Sequence, residues 1–137
     1  MREIEFRGKD STGLMNHDWF YGSLDTSFNE DFPRIICKDK WGNTMLITVA
    51  GETVGQYTGK KDKNKTKIFE GDIIKIQNKY IRYVVYSGVR CSFITIMYYD
   101  KLQSAEMIGL GEYEEYEIEV IGNIYDNPEL LEVCDGR

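Results

Sequence analysis

Apolar and polar residues alternate with period two in short runs along most of this chain, and a turn cuts off each run after about eight to twelve residues. An amphipathic helix needs a 3.6-residue repeat held over several turns, and few stretches leave room for one. The spacing therefore predicts a mainly β fold, arranged as a small barrel or a sandwich.

Ile4 and Phe6 interleave with Glu3, Glu5 and Arg7 as a half-buried strand. Residues 8–33 hold no period, with Trp19, Phe20, Tyr21, Phe28 and Phe32 scattered among Gly, Asp, Ser and Asn. That stretch reads as long irregular connections with one short strand at residues 19–21. Residues 34–38 and 44–50 flank Asp39-Lys40-Trp41-Gly42-Asn43, a hairpin signal that puts Met45, Ile47 and Val49 on its buried face. Residues 73–77, 80–86 and 91–99 read as a three-stranded meander with a tight turn at Asn78-Lys79. Residues 100–108 predict a short helix capped by Asp100, with Leu102, Ala105 and Ile108 facing inward. Tyr116, Ile118 and Val120 alternate with Glu115, Glu117 and Glu119 as an amphipathic strand, which Gly122 breaks with a bulge or bend. Asn127-Pro128 places an N-cap and a first-turn proline at the start of a short C-terminal helical turn. The division follows: an N-terminal β/irregular extension over residues 1–50 and a domain over residues 51–137.

Charge limits the partners. Lys and Arg number 17 against 23 Asp and Glu, for a net charge of −6, so the overall field repels nucleic acid and anionic lipid. No run reaches the ~18 apolar residues of a membrane span. The opening Met-Arg-Glu-Ile-Glu-Phe-Arg lacks the apolar middle of a signal peptide, which predicts a cytoplasmic protein. Cys37, Cys91 and Cys134 form no C-x-x-C pair, and three is not the count of a disulfide framework. They read as buried or idle thiols.

Motifs for catalysis and cofactors fail on inspection. His17 is the one histidine, which removes sites that need two imidazoles, and no G-x-S-x-G elbow presents a serine. Gly55-Gln-Tyr-Thr-Gly59-Lys60-Lys61 has three residues between its glycines where a phosphate loop has four. Lys61 also stands where the Mg²⁺-binding Ser or Thr belongs. Asp62, Asn64 and Thr66 occupy positions 1, 3 and 5 of a calcium loop, but Lys67 replaces its glycine and Ile73 its final Glu. No metal, cofactor or catalytic residue is predicted.

Two charge clusters stand out as candidate binding segments. Lys60, Lys61, Lys63, Lys65 and Lys67 form a basic loop, and Glu112, Glu114, Glu115, Glu117 and Glu119 form an acidic segment. Either they are solvated faces, or they meet each other across a subunit interface, or the lysines bind phosphate. A Glu pair acting as general acid and base needs a pocket that separates the two pKa values, and no nearby segment supplies one. Tyr80, Arg82, Val84 and Tyr86 share one strand face, with Tyr98 and Tyr99 on its neighbour. Such rings pack in a core or an interface, or stack on single-stranded bases.

Three segments resemble the YopX-like family of phage and prophage proteins: Arg2-Glu3-Ile4-Glu5-Phe6-Arg7; Val54 to Gly59 continuing through Lys61-Asp62-Lys63-Asn64 to Ile68-Phe69-Glu70-Gly71-Asp72-Ile73; and Glu119-Val120-Ile121-Gly122-Asn123-Ile124-Tyr125-Asp126-Asn127-Pro128-Glu129-Leu130-Leu131. The resemblance implies an SH3-like small β-barrel in the C-terminal part and homo-oligomeric assembly, and it carries no assigned activity or catalytic residue. Where the family usually has Gly after Asn64, this chain has Lys65, in a turn that favours positive φ. The reading is a non-enzymatic phage accessory protein that acts through a homo-oligomer and a phage or host protein partner. A single-stranded nucleic-acid-binding module is the alternative, and a hydrolase built on the Glu segment comes last.

Overall fold

The computed structural model describes residues 1–99 and 104–135. Within them eleven strands, joined by turns and short 3-10 segments, lie in two compact units, Met1–Tyr57 and Thr58–Arg137. No helix among the described residues is long and apolar enough to cross a membrane.

In the first unit, β1 (Phe6–Lys9), β2 (Trp19–Asp25), β3 (Arg34–Lys38) and β4 (Thr44–Thr48) form an antiparallel sheet in the order β4-β3-β2-β1. The start of β5 (Gly55–Lys61) pairs with β1. The β3–β4 hairpin is as the sequence predicts. Asp39 Oδ1 accepts the N–H groups of Trp41 and Asn43 at 2.9 and 2.8 Å and so ties the turn. The first strand differs. It begins at Phe6, leaves Ile4 exposed, and buries Arg7 and Gly8. Gly8 lies against Val49, where a Cβ would come within 2.8 Å of a methyl group. Arg7 is covered by Trp19, its guanidinium carbon 4.6 Å from the ring centroid.

Residues 8–33 are also more ordered than their lack of period suggests, because β2 runs through Trp19–Asp25 and a carboxylate organises the loop before it. Asp10 Oδ1 accepts the Thr12 N–H and hydroxyl, and Oδ2 accepts the Met15 and His17 N–H groups. The Thr12 hydroxyl and these amides hold the Asp10 carboxyl far below the usual carboxylate range. His17 Nδ1 lies 3.0 Å from the Asp10 carbonyl oxygen, so the one imidazole serves this loop. Ile35, Val49 and Tyr57 are the buried apolar residues of the unit.

In the second unit, β6 (Lys67–Phe69) lies beside the end of β5. A five-stranded antiparallel sheet follows in the order β10-β9-β8-β7-β11, from β7 (Asp72–Ile76), β8 (Tyr80–Ser87), β9 (Ser92–Tyr99), β10 (Ser104–Gly109) and β11 (Ile118–Asn123). The predicted meander is β7-β8-β9, and β11 joins it beside β7. The order is linear, with β10 and β11 at its ends, so the described strands form an open sheet and not a closed barrel.

Further details depart from the sequence reading. Residues 104–109 are a strand, paired with β9 from Ser104↔Tyr99 to Gly109↔Ile94, because a six-residue ladder outweighs a weak helical spacing. Asp100 and Leu102, the proposed cap and inward residue, lie outside the described residues. Glu115–Glu117 is a 3-10 turn, so β11 starts at Ile118 and Tyr116 projects outward. The β7–β8 turn centres one residue earlier than expected, on Gln77 and Asn78, both at positive φ. The bulge at Gly122 is present as a register shift after Val120. Pro128–Asp135 is 3-10, and the Asn127 side chain accepts the Asn123 N–H at 3.2 Å. Cys37 is half-buried, and burial pushes its thiol pKa up. Cys91 is exposed in the turn before β9, and Cys134 falls in the terminal segment. Ile68, Ile74, Ile76, Val84, Leu110 and Ile118 form the core, with Phe93, Tyr113 and Val120 against it.

Candidate functional site

The basic loop owes its shape to Asp62. This carboxylate is 1% exposed; Oδ1 accepts the N–H groups of Asn64 and Thr66 at 2.8 and 2.9 Å. The Asp62 N–H donates to Thr66 O and the Lys65 N–H to Asp62 O, which closes the turn. Lys65 sits at its tip with φ +66°, the left-handed conformation that suits Gly. The turn is then fastened to β11: the Lys63 N–H donates to Ile118 O at 2.9 Å, and Asp62 Oδ2 accepts the Val120 N–H at 2.9 Å. Those groups belong to the edge of β11 that faces away from β7. The loop therefore blocks the sheet edge that a closing strand would otherwise occupy.

Fastening the loop there brings the two charge clusters together within one chain. Lys65 Nζ donates to Glu115 Oε1 at 3.2 Å, and Lys63 Nζ lies 3.9 Å from Glu119 Oε1. Lys60 acts on Glu117 through its charge. Lys60, Lys63, Lys65, Glu114, Glu115 and Tyr116 line an open cleft of about 590 Å³. Lys61 ends β5 and Lys67 begins β6, flanking the turn. Glu112 closes the 3-10 turn after β10, its Oε2 accepting the Gly109 N–H at 3.0 Å. These pairs are solvent-exposed and each stabilises by ~0–1 kcal/mol, so they orient the segments more than they hold them.

Within the acidic segment, Glu117 is held by two hydrogen bonds. Glu117 Oε1 accepts the Gln77 amide at 2.8 Å and Oε2 the Glu114 N–H at 2.7 Å. The Gln77 bond, then the Glu114 amide and Lys60, lower its pKa. A general acid needs the opposite shift. Among the tyrosines, Tyr80 and Tyr86 are part-exposed on β8, with Tyr86 edge-on to Phe93 at 5.3 Å; Tyr98 and Tyr99 lie in β9. Sequence reasoning missed the buried Asp62 as the organiser of the loop. Its i, i+2, i+4 pattern with Asn64 and Thr66 is the signal, read there only as a failed calcium loop.

Comparison with known proteins adds the kinship. A family model described as YopX protein matches residues 5–132. The chain belongs to the YopX family. A search of curated proteins returns no match. Among solved structures, the crystal structure of protein EF1440 from Enterococcus faecalis resembles this YopX-family chain at a TM-score of 0.53 and 23% identity. The alignment covers 96% of this chain and 99% of that one. At that identity the likeness speaks for the fold alone.

Proposed function

We propose that this YopX-family protein is a non-enzymatic, phage- or prophage-borne accessory protein of the host cytoplasm. It works as a homo-oligomer that presents a surface to a phage or host protein. The observation that carries this reading is apolar exposure in the first unit, where three apolar residues are buried. Phe28, Trp41 and Leu46 are 81, 75 and 52% exposed. By strand register Tyr21, Ile36 and Leu46 share one face of the sheet, and Tyr21 is part-exposed too. The same face also carries Ser23, Arg34 and Thr48, and exposed apolar side chains of this kind on a small unit with little core suit contact with a second copy. The pairing of the Lys and Glu clusters within a chain removes the need for them to meet between subunits, so apolar contact supplies the affinity.

Light scattering after size exclusion tests the reading. The unmodified chain is expected to run as an oligomer at micromolar concentration, and Trp41→Ser with Leu46→Ser to shift it toward the monomer. A monomer mass at every concentration overturns it. Single-stranded nucleic-acid binding has less support, because Lys63 and Lys65 already face carboxylates and the chain is acidic. A hydrolase on the Glu segment has least, given the direction of the Glu117 shift.

A further inference from the structure

One face of the second sheet buries a charge among apolar residues and the polar side chains of Thr95 and Glu106. Ile74, Val84 and Met97 are the nearest positions to Arg82 along and across the strands, yet Arg82 is 2% exposed. Its Nη1 lies 3.3 Å from each of Thr95 O, Thr95 Oγ1 and Glu106 O, and its Nη2 donates to the Glu106 carboxylate. Among the described residues, two hydrogens on Nη1 serve three acceptors at the long end of the N–H···O range, while Nη2 carries two hydrogens for one acceptor. The guanidinium is buried and incompletely used. Beside it opens a cavity of about 330 Å³, walled by Ile76, Tyr80, Met97, Ile108 and Tyr113, with Glu106 at a half-exposed position. That volume is at the lower end of small-molecule sites.

We propose that this cavity binds a small monocarboxylate with an apolar body, its carboxylate on Arg82 and its body among Ile76, Met97 and Ile108. A carboxylate oxygen accepts the remaining Nη2 hydrogen in a charge-assisted bond, and an apolar wall strengthens that contact by excluding water. A phosphate dianion fits less well, since Glu106 adds a second negative charge and Arg82 is the one cation among the described residues that line the cavity. Glu106 competes with the ligand for Nη2, so it limits affinity. The proposal does not depend on self-assembly.

The test titrates the full chain with phenylacetate and with phenylacetamide at matched ionic strength, following amide shifts by NMR. Saturable shifts of residues in β8, β9 and β10 are expected with the acid, at least tenfold weaker with the amide. Glu106→Gln keeps an oxygen for Nη2 but removes the competing charge, and should tighten the acid by roughly tenfold. Ile108→Trp fills the cavity and should abolish the shifts. Equal binding of acid and amide, no saturable shift with either, shifts that survive Ile108→Trp, or no gain in folded Glu106→Gln each overturns the proposal. Should either variant fail to fold, the acid–amide comparison on the unmodified chain still decides it.

Discussion

Lys65 is the clearest single-residue conflict in the chain. At φ +66° its Cβ crowds the backbone, and its ion pair with Glu115 joins two exposed side chains. Lys65→Gly removes the crowding at the loss of a weak pair, and should raise stability by about 0.5–1 kcal/mol in urea unfolding. Asp62 is the opposite case. Asp62→Ala strips three backbone N–H groups of a charged acceptor, and should lower stability by about 3 kcal/mol or more in the same measurement. Acid should act on the first unit. The Ser27 hydroxyl and amide, then Arg34, hold the Asp25 carboxyl at about 2, and Asp10 is depressed further. Because both folded values lie below the unfolded value of ~3.9, the stabilisation is whole above that pH and drains away as pH falls toward 2. Melting temperature followed by circular dichroism should drop across that window, and Asp25→Asn should flatten the drop.

Among the elements, backbone approach decides where substitution hurts. A Cβ on Gly22 would stand 2.0 Å from the Ile36 carbonyl oxygen, which is backbone and cannot swing away. Gly22→Ala should force β2 and β3 apart and cost about 2–3 kcal/mol, visible as a lower urea midpoint. The elements that the sequence revealed are apolar or alternating runs bounded by turns, β7 to β9 and the β3–β4 hairpin, with the bulge at Gly122. Those it concealed are set by polar groups. Thr12, Met15 and His17 look aperiodic until the Asp10 carboxylate gathers their amides. β10 follows a weak pattern that only its ladder with β9 resolves. At the site, both charge clusters are plain as runs of Lys and Glu. Their meeting depends on Asp62 reaching Val120, 58 residues away, and no local pattern encodes that contact.

For the molecule as a whole, the sign of the salt effect separates two ways of assembling. If Lys and Glu clusters met between subunits, salt would screen them and dissociate the oligomer. The chain pairs them internally, and each copy carries −6, so approaching copies repel through their net charge while apolar side chains attract. If the chain assembles as proposed, raising salt from about 0.05 to about 0.5 M should therefore leave the oligomer intact or tighten it. Replacing Lys60, Lys61, Lys63, Lys65 and Lys67 with Gln removes five positive charges and takes the net charge from −6 to −11. That variant should assemble more weakly at low salt and recover at high salt, because screening cancels the added repulsion and leaves the apolar contact untouched. Light scattering at the two salt levels reads the outcome directly. Dissociation of the unmodified oligomer at high salt would instead mean that the clusters exchange partners between copies, and that the Lys65–Glu115 pair opens when subunits meet.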